Sequence, residues 1–163
     1  MMKKILIFLI FLPVFMYGQD TIRLRDLGLT PGSRLNAVPF VNQAMEKCNG
    51  KSDIVLVFEK GRYDFWPQYA NEKDYFISNT NYTYPRFCVF VVENAKHLTI
   101  DCGGSDFIFN GQLQPFTIDS SENIAIKNVS IDWEIPFGAE AEIIDVTPAY
   151  FDLKIDPKKY PYV

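Results

Sequence analysis

The chain has 163 residues, 16 basic and 20 acidic side chains, and a formal net charge of −4. That balance argues against a nucleic-acid-binding protein, which needs clustered Lys and Arg to meet phosphates. Aromatics are abundant, at 14 Phe, 9 Tyr and 2 Trp; their faces suit sugar rings, but in a strand-rich chain most of them belong to the core.

Residues 1–18 read as a signal peptide. Met1-Met2-Lys3-Lys4 is a basic start, Ile5 to Phe15 an apolar run, and Gly18 a small residue at the expected cleavage point. The expectation is export, to the periplasm or outside a bacterial cell. An uncleaved anchor is the alternative, but the run is short for a membrane span and Pro13 interrupts it. No stable membrane anchor is expected after cleavage. Losing Lys3 and Lys4 with the leader takes the net charge from −4 to −6.

Asp20 to Leu29 alternates enough to suggest a first strand, and Thr30-Pro31-Gly32-Ser33 a turn. Asn36 is placed to cap a helix with Pro39 in its first turn, where no backbone donor is needed. Phe40, Val41, Ala44, Met45 and Cys48 follow at helical spacing, and Asn49-Gly50 ends the helix. An apolar strand, Ile54 to Phe58, comes next. Trp66 to Pro85 lacks periodicity, and its Trp66, Tyr69, Tyr75 and Phe76 give either a binding excursion or a loop packed on its own rings.

Residues 86–134 carry one pattern twice. Phe90, Val92, Leu98 and Ile100 recur 26 positions later as Phe116, Ile118, Ile124 and Ile126, and Asp106-Phe107 falls on Asp132-Trp133. Each unit is a strand, a polar turn and a second alternating strand, the signature of stacked repeats in which each layer buries the next. Two unrelated hairpins would have to match at six positions in one register by accident. The helix before the repeats then has a use, plugging the first layer. Beyond Trp133 the pattern changes: Ala139 to Val146 and Tyr150 to Ile155 read as a hairpin joined by Thr147-Pro148-Ala149. The fold class expected is all-β, with residues 19–136 as cap and stacked layers and 137–163 as the start of another module. Two layers cannot close such a stack, so a longer parent protein is expected.

Chemistry is thinly signalled. Cys48, Cys88 and Cys102 are odd in number, allowing at most one internal disulfide of open pairing. With one His, His97, set in a turn, and no Cys-x-x-Cys spacing, neither metal nor other cofactor is expected. Asp106 and Asp132 would sit at equivalent positions of adjacent layers, about 4.8 Å apart; the plain reading is that each bonds backbone donors at a corner. Asp132 and Trp133 are candidates for one wall of a groove, and Gln112 and Gln114, just before Phe116, are polar candidates of the same kind.

The helix, Val55-Leu-Val-Phe58 and Gly61-Arg-Tyr63 together resemble the N-terminal cap of right-handed parallel β-helix proteins. More narrowly, Gly61-Arg-Tyr-Asp-Phe-Trp-Pro67, Leu98-Thr-Ile-Asp101, Gly104-Ser-Asp-Phe107, Gln114-Pro-Phe-Thr-Ile118 and Ile131-Asp-Trp133 are similar to glycoside hydrolase family 110, from about Leu29 to Val163. Cys102 and Asn110 depart from that pattern, which has Gly and His there. The resemblance implies a secreted α-1,3-galactosidase acting on α-galactosyl-terminated glycans by inversion, with catalytic carboxylates beyond Val163 and an inserted β-barrel beginning near residue 137. Inverting hydrolysis needs two carboxyls about 6.5–9.5 Å apart, which Asp106 and Asp132 match poorly in this register. A noncatalytic glycan-binding or adhesion protein, or a polysaccharide lyase on the same scaffold, remains the alternative.

Overall fold

Alternating apolar residues on successive segments let strands stack in register, and that is how the described strands between Ser52 and Trp133 are arranged. The computed structural model describes residues 18–75 and 85–160. The expected signal peptide, apart from Gly18, and Phe76 lie outside the described residues. Strands β1 (Asp20–Arg23), β2 (Ser52–Val57), β3 (Arg62–Phe65), β6 (Lys96–Phe109) and β8 (Ala125–Trp133) form one sheet, in which every pairing is parallel. A second sheet joins β5 (Arg86–Glu93) to β7 (Gln114–Asp119) in parallel, with β4 (Asn71–Lys73) antiparallel on the edge of β5. The chain is mostly strand, with one α-helix, α1 (Val38–Cys48).

The expected stacking holds at the residues that define it. Phe90 pairs with Phe116 and Ile100 with Ile126, both in parallel strands. The Phe90 and Phe116 rings stack at 4.6 Å, and Phe90 also meets Phe58, Phe65 and Phe107 at 5.7–6.0 Å. This aromatic cluster, with Leu56, Leu98 and Ile100, is the centre of the core. One further layer emerges that the repeat pattern did not reveal: β2 and β3 pair with β6 at a constant offset of 44, from Ile54 on Leu98 to Phe65 on Phe109.

Two expectations about register change. Ile100 lies opposite Ile126 at offset 26, but Phe107 lies opposite Ile131 at offset 24. Asp106 therefore neighbours Ser130, and Asp132 neighbours Ile108, so the two carboxylates are not equivalent. The cause is the corner: β6 turns through Cys102-Gly103-Gly104-Ser105, with both glycines at positive φ, whereas β8 turns with Asn128 alone at φ 59°. Gly103 is obligatory there, because a Cβ would lie 2.5 Å from the Phe58 carbonyl oxygen. The other corner repeats more faithfully. Asp53, His97 and Asn123 occupy the same left-handed position in three layers, with Asp53 3.6 Å from His97 Nδ1 and Asn123 Nδ2 3.3 Å from His97 Nε2. His97 is thus an exposed member of a corner ladder.

Helix α1 buries Val38, Val41, Ala44, Met45 and Cys48, the i, i+3, i+4 stripe of one face, against β5 and the turn at Leu24–Leu27. That turn is a 3-10 helix, so the first strand is shorter than the alternation suggested. The helix cap is Ala37 and not Asn36, yet Asn36 Oδ1 still accepts from the Val38 N–H at 3.1 Å and from the Trp66 N–H at 3.2 Å. At the other end the Asn49 amide imitates a strand, donating to the Val91 carbonyl at 2.9 Å and accepting from the Glu93 N–H at 3.0 Å. The helix covers β5, the opening strand of the repeated layers. Past β8, β9 (Ala141–Val146) and β10 (Phe151–Ile155) form the expected antiparallel hairpin. Its Ile143, Ile144, Val146, Phe151 and Leu153 are all exposed, as are Ile118 and Ile131 on the last layer.

Candidate functional site

A groove of about 650 Å³ opens where two layers meet at the entry to the second sheet. The start of β5 supplies Pro85, Arg86 and Phe87; the loop into β7 supplies Gln112, Leu113, Gln114 and Pro115; and Phe137 follows β8. Trp133 supports this wall from behind, with its ring 5.6 Å from Phe137 on one side and 5.6 Å from Phe109 on the other. The volume falls in the range of small-molecule pockets, about 300–1,000 Å³.

The four residues singled out by sequence divide in two. Gln112 and Gln114 line the groove together. Trp133 backs it, but Asp132 does not share its wall: neighbouring strand residues point to opposite faces, and Asp132 is exposed on the outer one. Its Oδ1 accepts the Trp133 N–H at 2.8 Å. Arg86, Phe87 and Phe137 escaped sequence reading, because Arg86 and Phe87 open an apolar strand and Phe137 lies beyond the repeat. The one available signal was a cation at the mouth of a strand that otherwise reads as core.

Among the described residues the groove is lined by amide and guanidinium donors and apolar rings, and no carboxylate lines it. Arg86 Nε and Trp133 Nε1 are buried without a hydrogen-bond partner among the described residues. On the outer face Asp64 is buried against Arg62 at 2.6 Å and Arg34 at 3.3 Å, and Arg62 also pairs with Glu134. The hydrogen bonds it donates to Asp64, ahead of the one it donates to Glu134, hold the Arg62 guanidinium firmly protonated. That set is a structural clamp across layers, with its charges already matched.

The thiols offer no chemistry. All three are free and buried. Burial pushes Cys48 up to about 11, against a smaller opposing pull from Lys51, and pushes Cys102 up to about 12 with help from Asp101. They stay protonated at neutral pH and behave as small apolar groups. Among the described residues no three His, Cys, Asp or Glu side chains converge on a metal position, and no helix is long and apolar enough to cross a membrane.

Known proteins resemble this chain over most of its length. An alpha-1,3-galactosidase B of Bacteroides thetaiotaomicron is 46% identical over 142 residues, 87% of this chain. The chain belongs to the α-1,3-galactosidase family, glycoside hydrolase family 110. An alpha-1,3-galactosidase A of Shewanella woodyi is 37% identical over 82% of the chain, and an alpha-1,3-galactosidase B of Phocaeicola vulgatus 36% over 78%. No family model matches. The chain spans only 23% of the Bacteroides thetaiotaomicron relative and 22% of each of the other two. For this α-1,3-galactosidase family member, the groove of Gln112 and Gln114 is one surface region, set beside a much longer relative.

Proposed function

We propose that this chain is the opening part of a secreted glycosidase that removes terminal α-1,3-linked galactose from glycans, working from the chain end with inversion. The observation that carries the reading is the 46% identity to an alpha-1,3-galactosidase over 87% of the chain. Residues 1–18 are its cleaved leader, and residues 19–136 are the cap and first turns of a right-handed parallel β-helix. Parallel pairing in both sheets and aromatic stacking from layer to layer support that architecture. Residues 137–163 begin an inserted β-barrel; a hairpin with apolar side chains exposed on both strands supports this, since two strands alone are marginally stable.

The catalytic carboxylates lie beyond Val163. Two carboxyls must flank the scissile bond, and the groove described above has none. A glycan-binding protein without turnover is the second reading, favoured by the same groove of amides, guanidinium and rings. Full-length protein and residues 19–163 should be assayed together on an α-1,3-linked galactoside. Galactose release by the full-length protein alone, as the inverted anomer by NMR, is the expected outcome. Turnover by residues 19–163 would place the acids in this chain, and glycan binding without turnover by the full-length protein would select the second reading.

A further inference from the structure

Among the described residues Arg86 is the groove's uncompensated cation. None of the ion pairs among the described residues includes it. Lys73, its neighbour across the β4–β5 ladder, is already matched by Glu93 at 2.5 Å. The stretch 76–84 contains no Asp or Glu that could serve as a partner. Arg86 Nε is nevertheless buried without a partner, at the wall of a cavity of about 650 Å³. A desolvated guanidinium nitrogen without a partner beside a cavity is costly unless an acceptor arrives. The acceptor that fits a planar two-donor fork best is a carboxylate.

The rest of the lining specifies what the carboxylate is attached to. The Gln112 and Gln114 amides each present a donor and an acceptor suited to ring hydroxyls, while Phe87, Pro115 and Phe137 offer flat apolar walls to a ring face. We propose that this groove binds an acidic sugar, a pyranose carrying a carboxylate, with Arg86 on the carboxylate and the two glutamines on hydroxyls. That the ligand is a sugar rests on the glycan-acting reading above; that it is anionic rests on Arg86 alone.

The test is calorimetric titration of the full-length protein with galacturonic acid and with galactose, which differ at one carboxylate. The wild-type protein should bind galacturonate at least tenfold more tightly, and raising the salt should narrow the gap. Equal affinity for the two sugars would overturn the proposal without any variant. Arg86→Gln should abolish the preference by weakening galacturonate binding at least tenfold, with the affinity for galactose changed less than threefold. Arg86→Lys, which keeps the charge but loses the fork, should retain part of it. A preference that survives Arg86→Gln overturns the assignment to this groove. Sodium acetate binding as tightly as galacturonate overturns the sugar and leaves a bare anion hole. Absence of galactosidase turnover in the wild-type protein defeats the hydrolase reading only, because the titrations do not depend on it.

Discussion

Asn49 is predicted to be the main anchor of the Val91–Glu93 end of β5, beside the Gly50 N–H that donates to the Glu93 carbonyl at 3.2 Å. Its amide makes two hydrogen bonds to β5, to the carbonyl of Val91, a buried residue, and from the Glu93 N–H. Asn49→Ala removes both at once and leaves two backbone groups without partners. Each such loss costs about 1–2 kcal/mol when the group is partly shielded from water, so together about 2–4 kcal/mol. The loss is local, so native-state hydrogen exchange read by mass spectrometry is the suitable assay. At about 1.4 kcal/mol per decade, exchange at the Glu93 amide should accelerate by about 30- to 700-fold, with little change in β8. Asn49→Asp keeps an acceptor for Glu93 but sets a carboxylate against the Val91 carbonyl, and should open the edge at least as much. Exchange at Glu93 within threefold of wild type in Asn49→Ala, or a protected edge in Asn49→Asp, would refute the reasoning.

Gly103→Ala should destabilise by about 2–4 kcal/mol, from the left-handed backbone and the overlap with the Phe58 carbonyl, whereas Gly104→Ala, with open space at its Cβ, should cost about 1 kcal/mol; chemical denaturation that ranks them equally would remove the corner argument. Phe90→Ala empties the ring stack and should cost about 3–5 kcal/mol by the same measurement. The Asn128 amide, then the Gly103 N–H and Lys127, hold the Asp101 carboxyl below its usual range. A depressed folded value means stability fully present above the unfolded value, about 4, and lost as pH falls through the folded one. Melting curves in acid should therefore show a shallower decline for Asp101→Asn than for wild type, and parallel curves would discount the carboxylate.

What the sequence made legible was the part of the fold written in apolar side chains at fixed spacing. Phe90 over Phe116 and Ile100 over Ile126 are both core positions, and core positions recur because a layer must bury them. The first layer carries the same signal, with Leu56 on Ile100 and Phe65 on Phe109, but residues 66–85 enlarge its offset to 44 and hide it from a search for one period. Corner length was illegible for a different reason. A corner is made by residues that tolerate positive φ, and Gly103-Gly104 and Asn128 meet that need with different numbers of residues and no hydrophobic trace. The groove was half legible. Gln112 and Gln114 stood out as polar residues at a strand entry, but Arg86 gains its meaning from the absence of an acidic neighbour in space, which spacing along a chain does not encode.

The slip at that corner bears directly on where catalysis can lie. At offset 26 Asp106 and Asp132 would be side by side, about 4.8 Å apart on strand spacing. With Asp106 beside Ser130 and Asp132 beside Ile108, they are displaced by one strand and two residues, about 8 Å between backbones on strand spacing and rise. That separation falls within the range for an inverting pair, so distance no longer disqualifies them. Their surroundings do. Both are exposed on the outer face, one is tied to the next backbone amide, and neither lines the groove. An acid that must keep its proton at neutral pH needs burial or a like charge held close to raise it. Among the described residues the groove has apolar walls without carboxylates, and the outer face has carboxylates without such walls. A glycosidase needs both in one place, which is the physical ground for seeking its acids outside these residues.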